Sequence, residues 1–120
     1  MTTVGVDIEE VHRFKILLRN QRFMRRVFTA REIAYCNARV NKSQHFAARF
    51  AAKEAVWKAL SDRIAQMKAT LAHHDIGVEN DPSGKPRVTL PGSFRSLSKK
   101  ISLSLSHTRS TVVAVALVQG

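Results

Sequence analysis

Apolar positions alternate with small or polar ones in the opening TTVGVDI, where Val4, Val6 and Ile8 stand against Thr3, Gly5 and Asp7. A period of two predicts a strand that buries the Val4, Val6 and Ile8 face and carries Asp7 near its end on the opposite one. In IEEVHRFKILLRN the period lengthens, with Ile8, Val11, Phe14, Leu17 and Leu18 at helical spacing. The next helix opens at TAREIAYCNA, where Thr29 followed three residues later by Glu32 is the spacing of a capping box. Asn41 and Gln44 repeat that spacing before FAARFAAKEAVWKAL, residues 46–60, which reads as a long helix of small and apolar residues. Advancing by about 100° per residue from Phe46 brings Trp57, Phe50, Lys53 and Leu60 within roughly 40° of it and Glu54 to about 80°. Lys53 and Glu54 therefore border or enter the aromatic face. An ionised group there loses several kcal/mol of hydration unless a partner restores it.

Beyond Ser61 the pattern weakens, and a helix end with a connecting segment is expected as far as Asp75. IGVEN and PRVTL read as short strands joined by DPSGKP, a turn in which Pro82 presets φ and Gly84 permits a positive one. PGSFRSLSKK suggests a short helix entered at Pro91. ISLSLSH alternates strictly, with Ile101, Leu103, Leu105 and His107 on one face, and TVVAVALV is a β-branched run expected to be buried on both sides. Thr108, Arg109 and Ser110 form the turn between them. With no repeat or linker, residues 1–120 are expected to form a single α+β domain, an antiparallel sheet packed against a long helix.

Composition narrows the chemistry. Twenty Lys and Arg residues against nine Asp and Glu give a net charge of +11, a field that favours an anionic partner. Arg13, Lys15, Arg19, Arg22, Arg25, Arg26 and Arg31 follow one another with no acidic residue between, which points to a docking surface for something acidic. The single cysteine, Cys36, excludes an internal disulfide and a multi-thiolate zinc site. No leader pattern and no long apolar run is present, so a soluble, cytoplasmic protein without a membrane partner is expected.

Asp7 at a strand end and Glu54 on a helix face are the kind of carboxylate pair that magnesium takes from a protein when substrate phosphates complete its shell. Spacing alone favours separate partners instead, a helix start for Asp7 and Lys58, at i+4, for Glu54. His73 and His74 project apart and read as surface residues, while His107 is either a satisfied core histidine or a donor to an anion. The usual nucleotide loops and the serine-hydrolase elbow are missing from the sequence.

GVDIEEVHRF, FTAREIAYC, RFAAKEAVWKAL, NDPSGKP and SLSHT occur in an order and spacing that, from about Val4 to Val118, resemble the holo-acyl-carrier-protein synthase family. This is the short, trimeric class of 4′-phosphopantetheinyl transferases. The resemblance implies a magnesium ion held by Asp7 and Glu54 with the pyrophosphate of the substrate coenzyme A, and Lys53 and Lys58 turned to the phosphates. It places Arg49 and His107, with Thr108, at the 3′-phosphoadenosine end and the loop of Asn80, Gly84, Lys85 and Pro86 near the adenine. Arg13, Arg22, Arg25 and Arg26 on an arginine-rich first helix would receive the acidic helix of an acyl carrier protein.

The implied reaction, serving fatty acid biosynthesis, transfers phosphopantetheine to a carrier serine and releases 3′,5′-ADP. Asp7, Glu54 and Lys58 form its catalytic set, in active sites at the subunit interfaces of a homotrimer. The base for the serine proton stays open between Glu54 and a water on the metal. This chain departs from the family at Ser61, Asp62 and Arg63, where a glycine-containing turn is usual, and at Thr111, often a tyrosine. A basic nucleic-acid-binding module without catalytic activity is the rival reading, weakened because only Phe14, Phe23 and Phe28 interleave with the basic run.

Overall fold

The computed structural model describes residues 1–120. Strand β1 (Thr3–Glu10) leads into three short helices, α1 (Val11–Leu17), α2 (Gln21–Val27) and α3 (Ala30–Asn37), and then the long helix α4 (Lys42–Gln66). A 3-10 turn at His73–Asp75 precedes strands β2 (Gly77–Asn80) and β3 (Pro86–Thr89); a 3-10 segment at Gly92–Lys100 precedes β4 (Ile101–His107) and β5 (Thr111–Val118). β1, β5 and β4 form an antiparallel sheet in that order, and β2 pairs with β3 as a separate hairpin. The α+β architecture expected from the sequence is thus observed, with α4 lying across one face of the three-stranded sheet. No helix is long and apolar enough to cross a membrane.

Small residues set the distance between helix and sheet. Ala47, Ala51, Ala52, Ala55 and Ala59 line the buried face of α4, and Ala114 and Ala116 meet it from β5. At Gly5 the approach is closest, since a Cβ there would lie 2.0 Å from the Ala55 carbonyl oxygen and 2.7 Å from the Ala59 nitrogen. β1 consequently turns its small and polar face, Thr3, Gly5, Asp7 and Glu9, toward α4, the reverse of the face expected from the valine alternation. Val4, Val6 and Ile8 remain 63%, 56% and 65% exposed.

The expected two-sided burial of TVVAVALV is corrected in the same way. Val112, Ala114, Ala116 and Val118 are buried, whereas Val115 and Leu117 point away from α4 beside Val6 and Val4. The sheet therefore carries an outward apolar face.

Helix boundaries also shift. The strand persists to Glu10, so α1 begins three residues later than its periodicity suggested, and the basic run divides between α1, with Arg13, and α2, with Arg22, Arg25 and Arg26. Asn20 caps α2 by accepting from the Phe23 N–H at 3.0 Å. Phe14, Phe28 and Phe46 are fully buried where these helices meet α4, each contributing about 1.5–3 kcal/mol of apolar burial. α4 runs on through Ser61, Asp62 and Arg63 to Gln66 instead of ending at Leu60. Lys68, at φ 51°, takes the left-handed position just beyond its end. Arg63 donates to the Met1 and Gln119 carbonyls at 3.3 and 3.1 Å and to Thr3 Oγ1 at 3.2 Å, joining both chain ends to the helix.

Candidate active site

Strand β1 and helix α4 run in opposite directions. Arg63 lies beside Thr3, and Gly5 sits between Ala55 and Ala59. Two further strand residues advance roughly 6.6 Å, about four helical residues, which brings Asp7 to the level of Glu54. Lys58, one turn from Glu54, donates to the Val6 carbonyl at 3.1 Å and lies 3.5 Å from Asp7 Oδ1. The Asp7 side chain is only 10% exposed, and its Oδ2 is buried without a hydrogen-bond donor. A buried carboxylate oxygen left without a donor fits a hard cation, which supplies what the protein does not. Lys58, expected from spacing to pair with Glu54, serves Asp7 instead.

Glu9, two residues along the same face, had no signal in the sequence beyond that alternation. Burial, then the neighbouring Asp7 carboxylate, raise its carboxyl from 4.5 to about 7, with Arg13 pulling the other way. Arg13 bonds Glu9 Oε1 at 2.9 Å and lies 5.9 Å from the Phe50 ring centre, so it faces this cluster rather than standing free on the surface. The expectation that His73 is a surface residue is also corrected. Its Nε2 is hydrogen-bonded to Glu54 Oε1, and its ring stacks on Phe50 at 5.8 Å.

Lys53 is a clear disagreement with the expected site. It is fully buried, and its ammonium meets Glu32 Oε1 at 2.7 Å, the Ile76 carbonyl at 2.7 Å and the His73 carbonyl at 3.0 Å. All three N–H donors are used within the fold, so none is left to turn to a phosphate. Burial pulls the Lys53 pKa down, and Glu32 opposes that shift. Glu32 itself closes the capping box with Thr29 and accepts from the Val78 N–H at 2.8 Å.

A second group occupies another side of α4. Arg49 donates to Asn80 Oδ1 at 3.3 Å and lies over the Tyr35 ring at 4.7 Å, while Asn80 Nδ2 donates to the Tyr35 hydroxyl at 3.0 Å. These residues line a cleft of about 380 Å³ with Arg31, Glu32 and Val78. His107 contacts Gln44, which displaces the expected Asn41–Gln44 capping arrangement, and α4 starts without a side-chain cap. His45, stacked edge-on against Tyr35, has its pKa lowered by burial and by the charges of Arg39, Arg49 and His107.

The β2–β3 turn follows Asn80. Gly84 adopts φ +88°, and Asp81 accepts from the Ser83 and Lys85 N–H groups and the Ser83 hydroxyl, which holds its carboxyl down at about 2. Gly84, Lys85 and Pro86 are thereby fixed beside Asn80, while Thr108 shapes the β4–β5 turn by accepting from Ser110 and Thr111. Arg22, Arg25 and Arg26 are exposed on α2. Phe14 and Phe28 are buried and Phe23 packs between them, leaving no aromatic platform for bases along the basic run.

The sequence profile described as the 4′-phosphopantetheinyl transferase superfamily matches residues 3–116. A holo-[acyl-carrier-protein] synthase of Clostridium tetani is 42% identical across 98% of this chain and 94% of its own. That of Chlorobaculum parvum is 43% identical across 97% of both. Among solved structures, the coenzyme A complex of the Chronobacterium ammoniagenes enzyme superposes with a TM-score of 0.81 at 29% identity, covering 99% of this chain and 97% of that one. The Helicobacter pylori holo-[acyl-carrier-protein] synthase in complex with coenzyme A gives 0.78 at 31%, covering 97% and 99%. With α4 packed across an antiparallel sheet and Lys58 of that helix bonded to the Asp7 end of β1, the chain belongs to the 4′-phosphopantetheinyl transferase superfamily, in the family of its holo-[acyl-carrier-protein] synthases.

Proposed function

We propose that this chain transfers 4′-phosphopantetheine from coenzyme A to a serine of an apo acyl carrier protein, giving the holo carrier and 3′,5′-ADP. The observation that carries this reading is the Asp7 carboxylate, nine-tenths buried with one oxygen lacking a donor, beside Lys58 and at the level of Glu54. Asp7 and Glu54 are the residues that would hold a magnesium ion. When bound, it supplies positive charge to the pyrophosphate oxygens.

Lys58 is 47% exposed beside Asp7, so its ammonium can reach a phosphate there and stabilise charge on the departing 3′,5′-ADP. The carrier serine oxygen forms the new P–O bond to the phosphorus bearing pantetheine as the bond to 3′,5′-ADP breaks, and the serine proton passes to a base. Arg49, Asn80 and His107 bind the 3′-phosphoadenosine end, with Gly84, Lys85, Pro86 and Thr108 on the two adjoining turns. Arg22, Arg25 and Arg26 receive the acidic carrier helix. Arg13 borders that surface while tied to Glu9.

Arg49 and Glu54 are five residues apart on α4, so they point roughly 140° away from one another. One chain therefore cannot easily turn both sets to one ligand. A homotrimer joined through the apolar outer sheet face, with active sites between subunits, resolves this. The protein acts in the cytoplasm, in fatty acid biosynthesis. Intact-mass measurement of an apo carrier with this protein, coenzyme A and Mg2+ tests the transfer. A gain of one phosphopantetheine, lost with EDTA and with Glu54→Ala, is expected; no gain with coenzyme A still bound refutes it.

A further inference from the structure

The proposed reaction makes no use of His73, yet that side chain is restrained on three sides. Its backbone carbonyl accepts from the Lys53 ammonium at 3.0 Å. Its ring lies nearly parallel to Phe50, 12° between the planes. Its Nε2 meets Glu54 Oε1. The turn that carries it is closed by the Asp75 N–H to the Ala72 carbonyl at 2.9 Å and by the Ala72 N–H to Asp75 Oδ2 at 3.1 Å. Trp57 Nε1 fixes the preceding residue through the Leu71 carbonyl at 3.1 Å. Three residues of α4 thus hold the segment that presents His73 to a fourth, Glu54.

An ionised carboxylate only accepts hydrogen bonds, so the proton shared by this pair sits on Nε2 and the histidine donates. Glu54 Oε1 is then occupied and Oε2 is free. An unrestrained glutamate on a helix surface samples several rotamers, and ordering it on ligand binding opposes affinity by up to about 2 kcal/mol. Here the ordering is already complete, because the donor rests on a stacked ring and a pinned backbone. Hydrogen bonds of this kind to ligating carboxylates set ligand orientation and change metal affinity by about 10- to 100-fold when removed.

We propose that His73 is a positioning residue for Glu54, its Nε2–H holding Oε1 so that Oε2 is presented to the divalent cation; this rests on the metal reading given above. The opposite role, in which His73 competes with the cation for Glu54, predicts the opposite sign, so binding separates the two. The probe is Mn2+ with coenzyme A at fixed concentration, its binding read from loss of the free-ion EPR signal against a protein-free control. His73→Phe and His73→Leu both lack the donor and differ in stacking, and both are expected to weaken Mn2+ binding about tenfold. His73→Gln, which restores an N–H, recovers most of that loss. Coenzyme A binding in EDTA and the melting temperature stay close to wild type, and kcat recovers at saturating Mn2+. Unchanged or tighter Mn2+ binding in the two donor-free variants, with binding lost in Glu54→Ala, overturns the positioning role and leaves the metal site standing. Unchanged binding in Glu54→Ala overturns both.

Discussion

Replacing Lys53 by Met distinguishes a lysine that holds the fold from one that holds coenzyme A. The substitution keeps a long apolar stem in a site with no exposure but removes the ammonium from Glu32 Oε1, the Ile76 carbonyl and the His73 carbonyl. Breaking a buried ion pair from one side costs about 3–5 kcal/mol, because the remaining charge stays buried. Glu32 keeps the Thr29 and Val78 N–H donors at 2.9 and 2.8 Å, so the lower part of that range, about 3–4 kcal/mol, is expected. Against a total of about 5–15 kcal/mol this is a large fraction, equivalent to a fall in Tm of roughly 10–15 °C.

The assay is urea unfolding at one fixed protein concentration, since any oligomer makes the midpoint concentration-dependent. Lys53→Met, Glu32→Gln and the double variant complete a cycle. The double variant removes the charge from both sides, so it should be more stable than the sum of the single losses allows, by about 2 kcal/mol. A Lys53→Met loss below about 1 kcal/mol, accompanied by a raised KM for coenzyme A, would refute the structural role and return Lys53 to the phosphates.

Gly5→Ala should destabilise the chain by about 3 kcal/mol or more and abolish transfer, because the new Cβ meets backbone atoms of Ala55 and Ala59 that cannot yield; a normal Tm would refute the close packing. Glu9 gives a pH signature in metal-free buffer. The folded state keeps its proton up to about 7 while the unfolded chain loses it near 4.5, so stability falls as pH rises through that window, by on the order of 3 kcal/mol. Glu9→Gln should flatten the Tm profile there, and an unchanged slope would count against the Asp7–Glu9 pair. If the proposed trimer joins through the exposed Val4, Val6 and Ile8 face, Val6→Asp should lower the sedimenting mass to that of a monomer and lower activity with it; a wild-type monomer at working concentration would remove the oligomer from the reading.

Periodicity located most elements because each repeats over several residues. It failed where a single contact outweighed the repeat. In β1 the valine alternation marks an apolar face correctly, but that face cannot approach α4, since only the Gly5 side admits the Ala55–Ala59 backbone. α2 went unread because arginines dominate its sequence, and its Asn20 cap has no glutamate partner to strengthen the signal. α4 outlasted its expected end because Ser61, Asp62 and Arg63 contain no glycine, and the left-handed stop falls instead on Lys68. Within the candidate site, the motifs singled out Asp7, Glu54 and Lys58, the residues on which the proposed chemistry rests. Glu9 and His73 become visible only through the contacts of β1 and the 3-10 turn with α4, contacts 19 residues apart along the chain for His73 and Glu54. Lys53 misled because helical angle alone cannot say whether a buried cation faces a ligand or Glu32.

The adjacent residues Lys53 and Glu54 show how α4 separates these tasks. One helical step turns a side chain by about 100°, so Lys53 points into the junction of α3 and β2 while Glu54 points past it. Lys53 nonetheless reaches the same 3-10 turn that Glu54 touches, through the His73 and Ile76 carbonyls. The buried ammonium therefore fixes the backbone from which His73 bonds Glu54. On the proposed reading Lys53 affects the metal site without facing it, and its substitution should act through the placement of Glu54. That places the Lys53→Met effect on Mn2+ affinity downstream of His73. In a His73→Phe background, where the Glu54 donor is already gone, Lys53→Met should weaken Mn2+ binding little further even though it still lowers stability. Full additivity of the two losses in binding would show that Lys53 reaches the cation by another route.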